Sequence, residues 1–228
     1  MTLAPRGQSF ALVSASYLER VVDCYAANLE ELRLGIEQAP PEVLFLHTQL
    51  PRLAPEHGSG TPIDDFSQWV GTVVMDAETA ERMAFGVQSC APNMTSLRAA
   101  LLAPLERLTG QRRQERSAPA GAEFVFLAAD GVALPAGIEA AEPEDLFDAL
   151  TRADPSIWFH HLIEQEWLPA DTPLLMKWLE GHGADRIAGL LRSEAETGQS
   201  IRIIRDRIVR RWRRRQLGRR LKAGRSKP

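Results

Sequence analysis

The sequence predicts an all-α protein: two tandem, divergent helical-bundle modules with a basic C-terminal helix, and at most short strands. Three observations support this prediction, namely helical spacing of apolar residues, repeated helix-start signals and an internal repeat. A chain of 228 residues can form one domain or two small ones. Its 44% hydrophobic content is sufficient for a buried core.

The first predicted helix covers residues 16–38. Apolar residues recur there at steps of three and four, as on one face of an amphipathic helix. They are Leu18, Val22, Tyr25, Leu29, Leu32 and Ile36. Residues 10–13 and 124–127 are predicted to be minor extended segments.

Later helices carry their own start signals. Proline is favoured in a first helical turn, where its missing N–H has no partner to lose. Such helices are predicted to begin at Pro41, Pro62, Pro143, Pro155 and Pro173. Asp76 and Asn93 are predicted N-caps of two further helices.

An internal repeat relates the two halves of the chain at an offset of 114 residues, which shortens to 107 towards the end. The offset changes only between predicted helices, where loops tolerate length changes. The matched pairs include Phe10 with Phe124, Phe45 with Phe159, His47 with His161, Trp69 with Trp178, and Arg98 with Arg205. We therefore predict module 1 at 1–108, an exposed polar linker at 109–123, module 2 at 124–216 and a partly disordered basic tail at 217–228.

Three short motifs resemble a helical domain-of-unknown-function family of bacteria and archaea, family number 5752. They are Ser156-Ile157-Trp158-Phe159-His160-His161, Asp65-Phe66-x-x-Trp69 and Leu97-Arg98. The resemblance covers most of the chain, one copy per half, and implies a helical fold in tandem duplication. The halves differ, since Asp65-Phe66 becomes Leu174-Leu175 in the second. The family has no established activity, so the resemblance implies no catalytic residue.

Charge is distributed unevenly, although the net charge is only −3. Residues 201–228 contain 13 basic residues and one acidic residue, a net charge of +12. The remaining residues contain 14 basic and 29 acidic ones, a net charge of −15. An acidic body therefore carries a basic segment, a distribution that bears on partners rather than on fold.

The basic segment is predicted to be a helix that docks one apolar face on the body. That face consists of Ile201, Ile204, Ile208 and Trp212. The arginines around it are the predicted partner-binding residues, because a guanidinium group matches carboxylates and phosphates. They are Arg202, Arg205, Arg207, Arg210, Arg211, Arg213, Arg214 and Arg215.

An acidic protein surface, or further copies of the same chain, is the predicted partner. Nucleic acid is an alternative, because such a helix can neutralise several phosphates. A membrane surface is disfavoured, since few apolar residues accompany the arginines.

His47 and His161 occupy matching places in the two halves, as do Trp69 and Trp178. We interpret all four as structural: the histidine bonds a nearby carbonyl or carboxylate while the tryptophan fills the core. Asp65 is the predicted partner of His47.

A second interpretation concerns His160, His161 and Glu164, which could serve a metal-binding protein or an enzyme. His160 and Glu164 are four positions apart and fall on one helix face. Metal sites in helical bundles need several such helices, and the match of Glu164 in the first half is Leu50. The sequence therefore predicts no metal ligand and no cofactor.

Other catalytic signals are weak. Cys24 and Cys90 have no histidine nearby in sequence, and no Gly-x-Ser-x-Gly elbow occurs. We predict no catalytic residue; enzymatic activity is left open but disfavoured. Two cysteines are too few for a disulfide framework, and no signal peptide or membrane span is recognised, so we expect a cytoplasmic protein. The leading hypothesis is a non-enzymatic interaction or adaptor protein whose acidic body and basic helix bind a partner within an assembly.

Overall fold

The computed structural model describes residues 9–53, 64–90, 93–168 and 174–225, with side chains as far as Arg214. Each half begins with a long strand and continues in helices. In the first half β1 (Phe10–Ala26) is followed by α1 (Leu29–Gln38), α2 (Pro41–Thr48), a 3-10 turn (Leu50–Leu53), α3 (Asp65–Thr72), α4 (Ala77–Ser89), α5 (Met94–Glu106) and α6 (Gly110–Glu115). In the second half β2 (Phe124–Ala140) is followed by α7 (Pro143–Leu150), α8 (Pro155–Phe159), a π-helical turn (His160–Glu164), α9 (Gln165–Trp167), α10 (Leu175–Gly181), α11 (Asp185–Ala195) and α12 (Ile201–Arg225).

The two strands, of 17 residues each, pair antiparallel along nearly their whole length. Phe10 lies opposite Ala140 at one end, and Ala26 lies opposite Phe124 at the other. The prediction of an all-α fold with at most short strands is therefore wrong, and the protein has a mixed α/β fold. The extended segments expected at 10–13 and 124–127 are the beginnings of these strands.

The prediction of a helix over 16–38 is wrong for residues 16–26, which belong to β1, and the chain becomes helical only at Leu29. Leu18, Val22 and Tyr25 fit helical spacing, but a segment rich in aromatic and β-branched residues also suits a strand. Pairing with β2 makes this segment a strand and not a helix. The partner is distant in sequence, since Tyr17 pairs with Gly131.

The start signals within the described residues are confirmed, whereas those at Pro62 and Pro173 lie outside the described residues. Helices α2, α7 and α8 begin at Pro41, Pro143 and Pro155. The side chains of Asp76 and Asn93 cap α4 and α5 by accepting a hydrogen bond from the N–H three residues further on.

Residues 109–123, predicted to be an exposed polar linker, contain α6 and are attached to the first half. Nη1 of Arg113 donates to the carbonyl oxygen of Leu108 at 2.6 Å, and Nε of Arg113 pairs with Glu30. Ser117 forms an isolated antiparallel bridge with Asn28.

Two hydrophobic cores form, and each contains residues of the strand from the other half. Phe124 and Phe126 of β2 are buried among the helices α1 to α5. Phe10 and Leu12 of β1 are buried among α7 to α12. Burying a side chain of this size contributes about 1.5–3 kcal/mol, so the exchange couples the two halves strongly.

The longest helix of the described residues is α12, with 25 residues and many arginines. Within the described ranges, no helix combines the length and the apolar character needed to cross a bilayer.

Candidate functional site

His47 lies on α2, and its buried ring contacts an outer edge of the sheet. The edges of a two-stranded sheet carry N–H groups that face no neighbouring strand. Nε2 of His47 accepts a hydrogen bond from the backbone N–H of Leu127 on β2 at 3.0 Å. Nδ1 of His47 lies 2.9 Å from Oδ2 of Asp65, which confirms the predicted partner. Because Nε2 accepts this hydrogen bond, the N–H of the ring is at Nδ1, which donates a hydrogen bond to Asp65.

His161, which follows His47 by 114 residues, makes the corresponding contact with the other strand. Its Nε2 accepts a hydrogen bond from the backbone N–H of Val13 on β1 at 2.9 Å. Leu127 also follows Val13 by 114 residues. Nδ1 of His161 lies 3.3 Å from Oε1 of Gln165. Burial and, second, the neighbouring His160 lower the pKa of His161 to about 3, so the ring stays neutral near pH 7.

The ring of His47 lies beside the first phenylalanine of β2. The ring centroids of His47 and Phe124 are 4.9 Å apart, and those of Trp69 and Phe124 are 5.8 Å apart. Nε1 of Trp69 donates to the carbonyl oxygen of Ala122 at 2.8 Å, just before the strand begins. His47 and Trp69 therefore hold the start of β2 in the first half.

The first phenylalanine of β1 has the corresponding surroundings in the second half. The ring of Phe10 lies 5.2 Å from that of His161 and 5.5 Å from that of Trp178, measured between centroids. The four residues predicted to be structural thus surround the two exchanged phenylalanines.

A second cluster forms at the π-helical turn. Such a turn widens a helix locally and is frequent at functional sites. Nδ1 of His160 lies 2.6 Å from Oε2 of Glu164, and the hydroxyl of Tyr17 on β1 donates to the same oxygen at 2.7 Å. Burial raises the pKa of Tyr17 far above its ordinary value, and the Glu164 carboxylate adds to the shift, so the phenol stays protonated. Across the sheet is Gly131, where a Cβ would lie 3.0 Å from Oε1 of Glu164.

The structure brings His160 and Glu164 together, but Nε2 of His161 is engaged with β1. Among the residues that the structure describes, no group of three or more His, Cys, Asp or Glu side chains is arranged to hold a metal ion. The hydrogen-bonded cluster of phenol, carboxylate and imidazole fastens the middle of β1 to the π-helical turn.

Helix α12 is attached to the second half through the predicted apolar stripe. Nε1 of Trp212 donates to Oδ1 of Asp148 at 2.9 Å, and its ring packs on Phe147 with a centroid distance of 4.3 Å. The buried side chains of the stripe are Ile201, Ile204, Ile208 and Trp212.

Three of the predicted partner-binding arginines contact the body of the protein. Nη1 of Arg211 lies 2.5 Å from Oε1 of the buried Glu194, and Nη1 of Arg207 lies 3.8 Å from its Oε2. Nη2 of Arg205 donates to the carbonyl oxygen of Thr151 at 3.3 Å. These arginines help to hold the helix in place.

The other described arginines face solvent. Arg213 and Arg214 have no acidic partner among the described residues, and the side chain of Arg215 lies outside the described part of the chain. The exposed members of the predicted set that make no ion pair with Glu194 are Arg202, Arg210, Arg213 and Arg214.

Fold and site together define a class of mixed α/β protein. Its two strands pair in one sheet, and the start of each strand is buried in the helical half of the other. The chain belongs to the family of unknown function DUF5752, whose model matches residues 7–213. The resemblance to that family is thereby confirmed, through one match that spans both halves. The structure is similar to that of OrfY from Thermoproteus tenax, with a TM-score of 0.75 and 25% sequence identity over 91% of this chain and 95% of that one. No curated protein matches the chain.

Sequence reasoning did not single out Tyr17, Gly131 or Arg52. Tyr17 and Gly131 occupy equivalent positions of the repeat but are different residues, so the repeat did not mark them. No local pattern marks Arg52, because its surroundings come from both halves.

Proposed function

We propose that the protein is a non-enzymatic interaction protein. Its basic C-terminal helix binds an acidic surface, either of a protein partner or of another copy of the chain. The observation that carries the proposal is the attachment of α12: one face is buried on the second half, and arginines occupy the opposite face.

Anchoring matters because it lowers the cost of binding. A free arginine-rich peptide would lose backbone and side-chain freedom when it binds. Here the stripe from Ile201 to Trp212 and the contact of Arg211 with Glu194 already order the helix. The ordered helix fixes the spacing of the exposed arginines along its surface. Each guanidinium can bind a carboxylate through two parallel hydrogen bonds.

Charge favours an acidic partner. The residues before Ile201 have a net charge of −15, so the acidic body of a second copy is a suitable surface for α12. The proposal extends to the cytoplasmic location expected from the sequence, where Cys24 and Cys90 would remain the free thiols seen in the structure.

Charge reversal in the full-length chain tests the proposal. In the variant Arg210→Glu/Arg213→Glu/Arg214→Glu the exposed face of α12 becomes acidic. The control Arg107→Glu/Arg112→Glu/Arg186→Glu makes the same change in charge at exposed positions outside α12 that form no ion pair among the described residues. Self-association is measured by analytical ultracentrifugation, and partners are identified by affinity purification from the native source with and without nuclease treatment.

We expect the α12 variant alone to lose self-association or a specific partner. If both variants behave like the wild type, the proposal is wrong. Partners that disappear on nuclease treatment would instead indicate nucleic acid. In that case binding should fall steeply with salt and vanish when the residues after Gln216 are removed.

The alternative of a metal-binding protein or enzyme using His160, His161 and Glu164 has less support, because both ring nitrogens of His161 already have partners. Stoichiometric zinc, iron or manganese that is lost in His161→Ala would favour it over the interaction protein.

We also propose that the chain arose by tandem duplication of a unit made of one strand and its helices. The contact of His47 with Leu127 and that of His161 with Val13 relate positions 114 residues apart on both sides. In a duplicated unit such equivalent contacts are expected.

A further inference from the structure

A cleft with a volume of about 100 Å³ lies between the two halves. Its first wall comes from the end of α2, the 3-10 turn and α4. Its second wall comes from the π-helical turn and helices α9, α10 and α11. The cleft is separate from the exposed face of α12, so an inference about it does not depend on the proposed function.

Arg52 lines this cleft, although its side chain is almost completely buried. Nη1 donates to Oε1 of Gln49 at 3.0 Å, Nε to the carbonyl oxygen of Gln199 at 3.0 Å, and Nη2 to that of Ala195 at 2.7 Å. These acceptors are uncharged, and no carboxylate of the described residues forms an ion pair with Arg52. Burial lowers the pKa of Arg52 to about 10, which leaves the group charged near pH 7.

A buried charge is stabilised by an opposite charge, and the part of the chain that the structure describes supplies none to Arg52. A guanidinium group carries five N–H donors, of which three serve these contacts, so two remain. The fixed planar fork of these donors suits a carboxylate or phosphate oxygen pair.

The opposite wall of the cleft is mainly apolar. It includes Leu162 of the π-helical turn, Trp167 of α9 and Met176 of α10. Val87 of α4 adds an apolar side chain to the first wall. Apolar walls around a few polar groups are typical of small-molecule sites. A ligand here would therefore combine an anionic group with an apolar portion.

The acidic residues of the lining do not neutralise Arg52. Both carboxylate oxygens of Asp64 are engaged by Ser67, whose N–H and hydroxyl donate at 2.8 and 2.6 Å in the cap of α3. Glu166 and Glu196 are exposed, and Arg192, also exposed, lies near them. As far as the described residues go, the buried part of the cleft thus holds the charge of Arg52 without an ion-pair partner.

We propose that this cleft is a binding site for a small organic acid, whose anionic group is held by Arg52 and whose apolar part contacts Trp167 and Met176. The full-length protein is titrated with benzoate and phenyl phosphate, which differ in their anionic group. Benzyl alcohol and benzamidine serve as the uncharged and cationic comparisons. Binding is followed by NMR at Nε–H of Arg52 and at the indole N–H of Trp167.

Arg52→Gln removes the charge, and we expect it to weaken binding of the anionic probe at least tenfold, as the loss of a charge-assisted hydrogen bond predicts. Because this change also removes contacts within the fold, a second variant keeps Arg52 and fills the cleft. Ala84→Phe should abolish binding, whereas Ala99→Phe, the same substitution at an exposed position of α5, should not.

If only benzoate or only phenyl phosphate binds, and the binding is weakened by Arg52→Gln and abolished by Ala84→Phe, the anionic group of the ligand is identified as a carboxylate or a phosphate, respectively. The proposal is overturned if neither probe shifts the two signals, or if benzyl alcohol binds as tightly as the anions. It is also overturned if Ala84→Phe leaves binding unchanged.

Discussion

Nε2 of His47 accepts a hydrogen bond from the N–H of Leu127, a residue that follows it by 80 positions. The contact joins a helix of the first half to the strand that opens the second. His161 and Val13 repeat it in the opposite direction. Each helical half is therefore completed by a strand end from the other: Phe10 is buried in the second half and Phe124 in the first.

The first prediction concerns acid stability and His161. Below the ordinary histidine pKa of 6.5 the unfolded chain takes up a proton, whereas the folded ring stays neutral until about pH 3. The unfolded state therefore binds more protons as the pH falls. His161 alone should lower the free energy of unfolding by up to about 4–5 kcal/mol between these values. Urea denaturation at several pH values measures the loss.

The variant His161→Gln isolates this contribution, because a glutamine oxygen can still accept from Val13 but takes up no proton in this range. Its free energy of unfolding should depend on pH less steeply than that of the wild type. Equal slopes for the two proteins would show that the pKa of His161 is not lowered by folding.

The second prediction concerns Gly35 of α1, which lies directly beneath the exchanged ring of Phe126. Alanine usually stabilises a helix interior relative to glycine by about 0.5–1 kcal/mol. At Gly35 a Cβ would overlap the Phe126 ring, so Gly35→Ala should destabilise by about 1–3 kcal/mol instead. Gly189 of α11 has no atom within 4 Å of such a Cβ, and Gly189→Ala should stabilise. Thermal or urea denaturation of both variants measures the difference, and a change of the same sign in both contradicts the exchange.

The third prediction compares the two tyrosines of β1. Tyr17 donates to Glu164, so Tyr17→Phe removes a hydrogen bond to a carboxylate and should cost about 1.5–3 kcal/mol. Tyr25 is 54% exposed, and Tyr25→Phe should change the free energy of unfolding by less than about 0.5 kcal/mol. Equal effects in urea denaturation would mean that the contact with Glu164 contributes nothing to stability.

The fourth prediction concerns the attachment of α12. Trp212→Ala removes the ring that packs on Phe147 and the hydrogen bond to Asp148. The second half of α12 should then exchange its amide hydrogens faster, while β1 and β2 keep their protection. The control Arg210→Ala, at an exposed position, should leave the exchange unchanged. Undiminished protection of α12 in Trp212→Ala would show that this ring does not anchor the helix.

The local features of the fold could be predicted from sequence. Prolines and caps mark helix starts within a few residues, so Pro41, Pro155 and Asp76 were informative. The apolar stripe of α12 could also be predicted, because its residues recur at short, regular spacings. The pairing of His47 with Asp65 could be predicted because few acidic partners were candidates.

The strands could not be predicted in this way. The spacing of Leu18, Val22 and Tyr25 satisfies a helix, and only pairing with a segment about a hundred positions away makes the chain extended. The contacts of Tyr17 with Glu164 and of Arg52 with Ala195 likewise join residues far apart in sequence. Periodicity within one segment contains no information about them.

The crossed contacts between histidines and strands are tested most directly by NMR detection of scalar coupling across N–H···N hydrogen bonds, in uniformly ¹⁵N-labelled full-length protein. We predict a correlation between the backbone nitrogen of Leu127 and Nε2 of His47, and a second between the backbone nitrogen of Val13 and Nε2 of His161. Nδ1-protonated, neutral rings should accompany both. Protonated Nε2 in either ring, or correlations confined to one half of the chain, would contradict the exchange of strands.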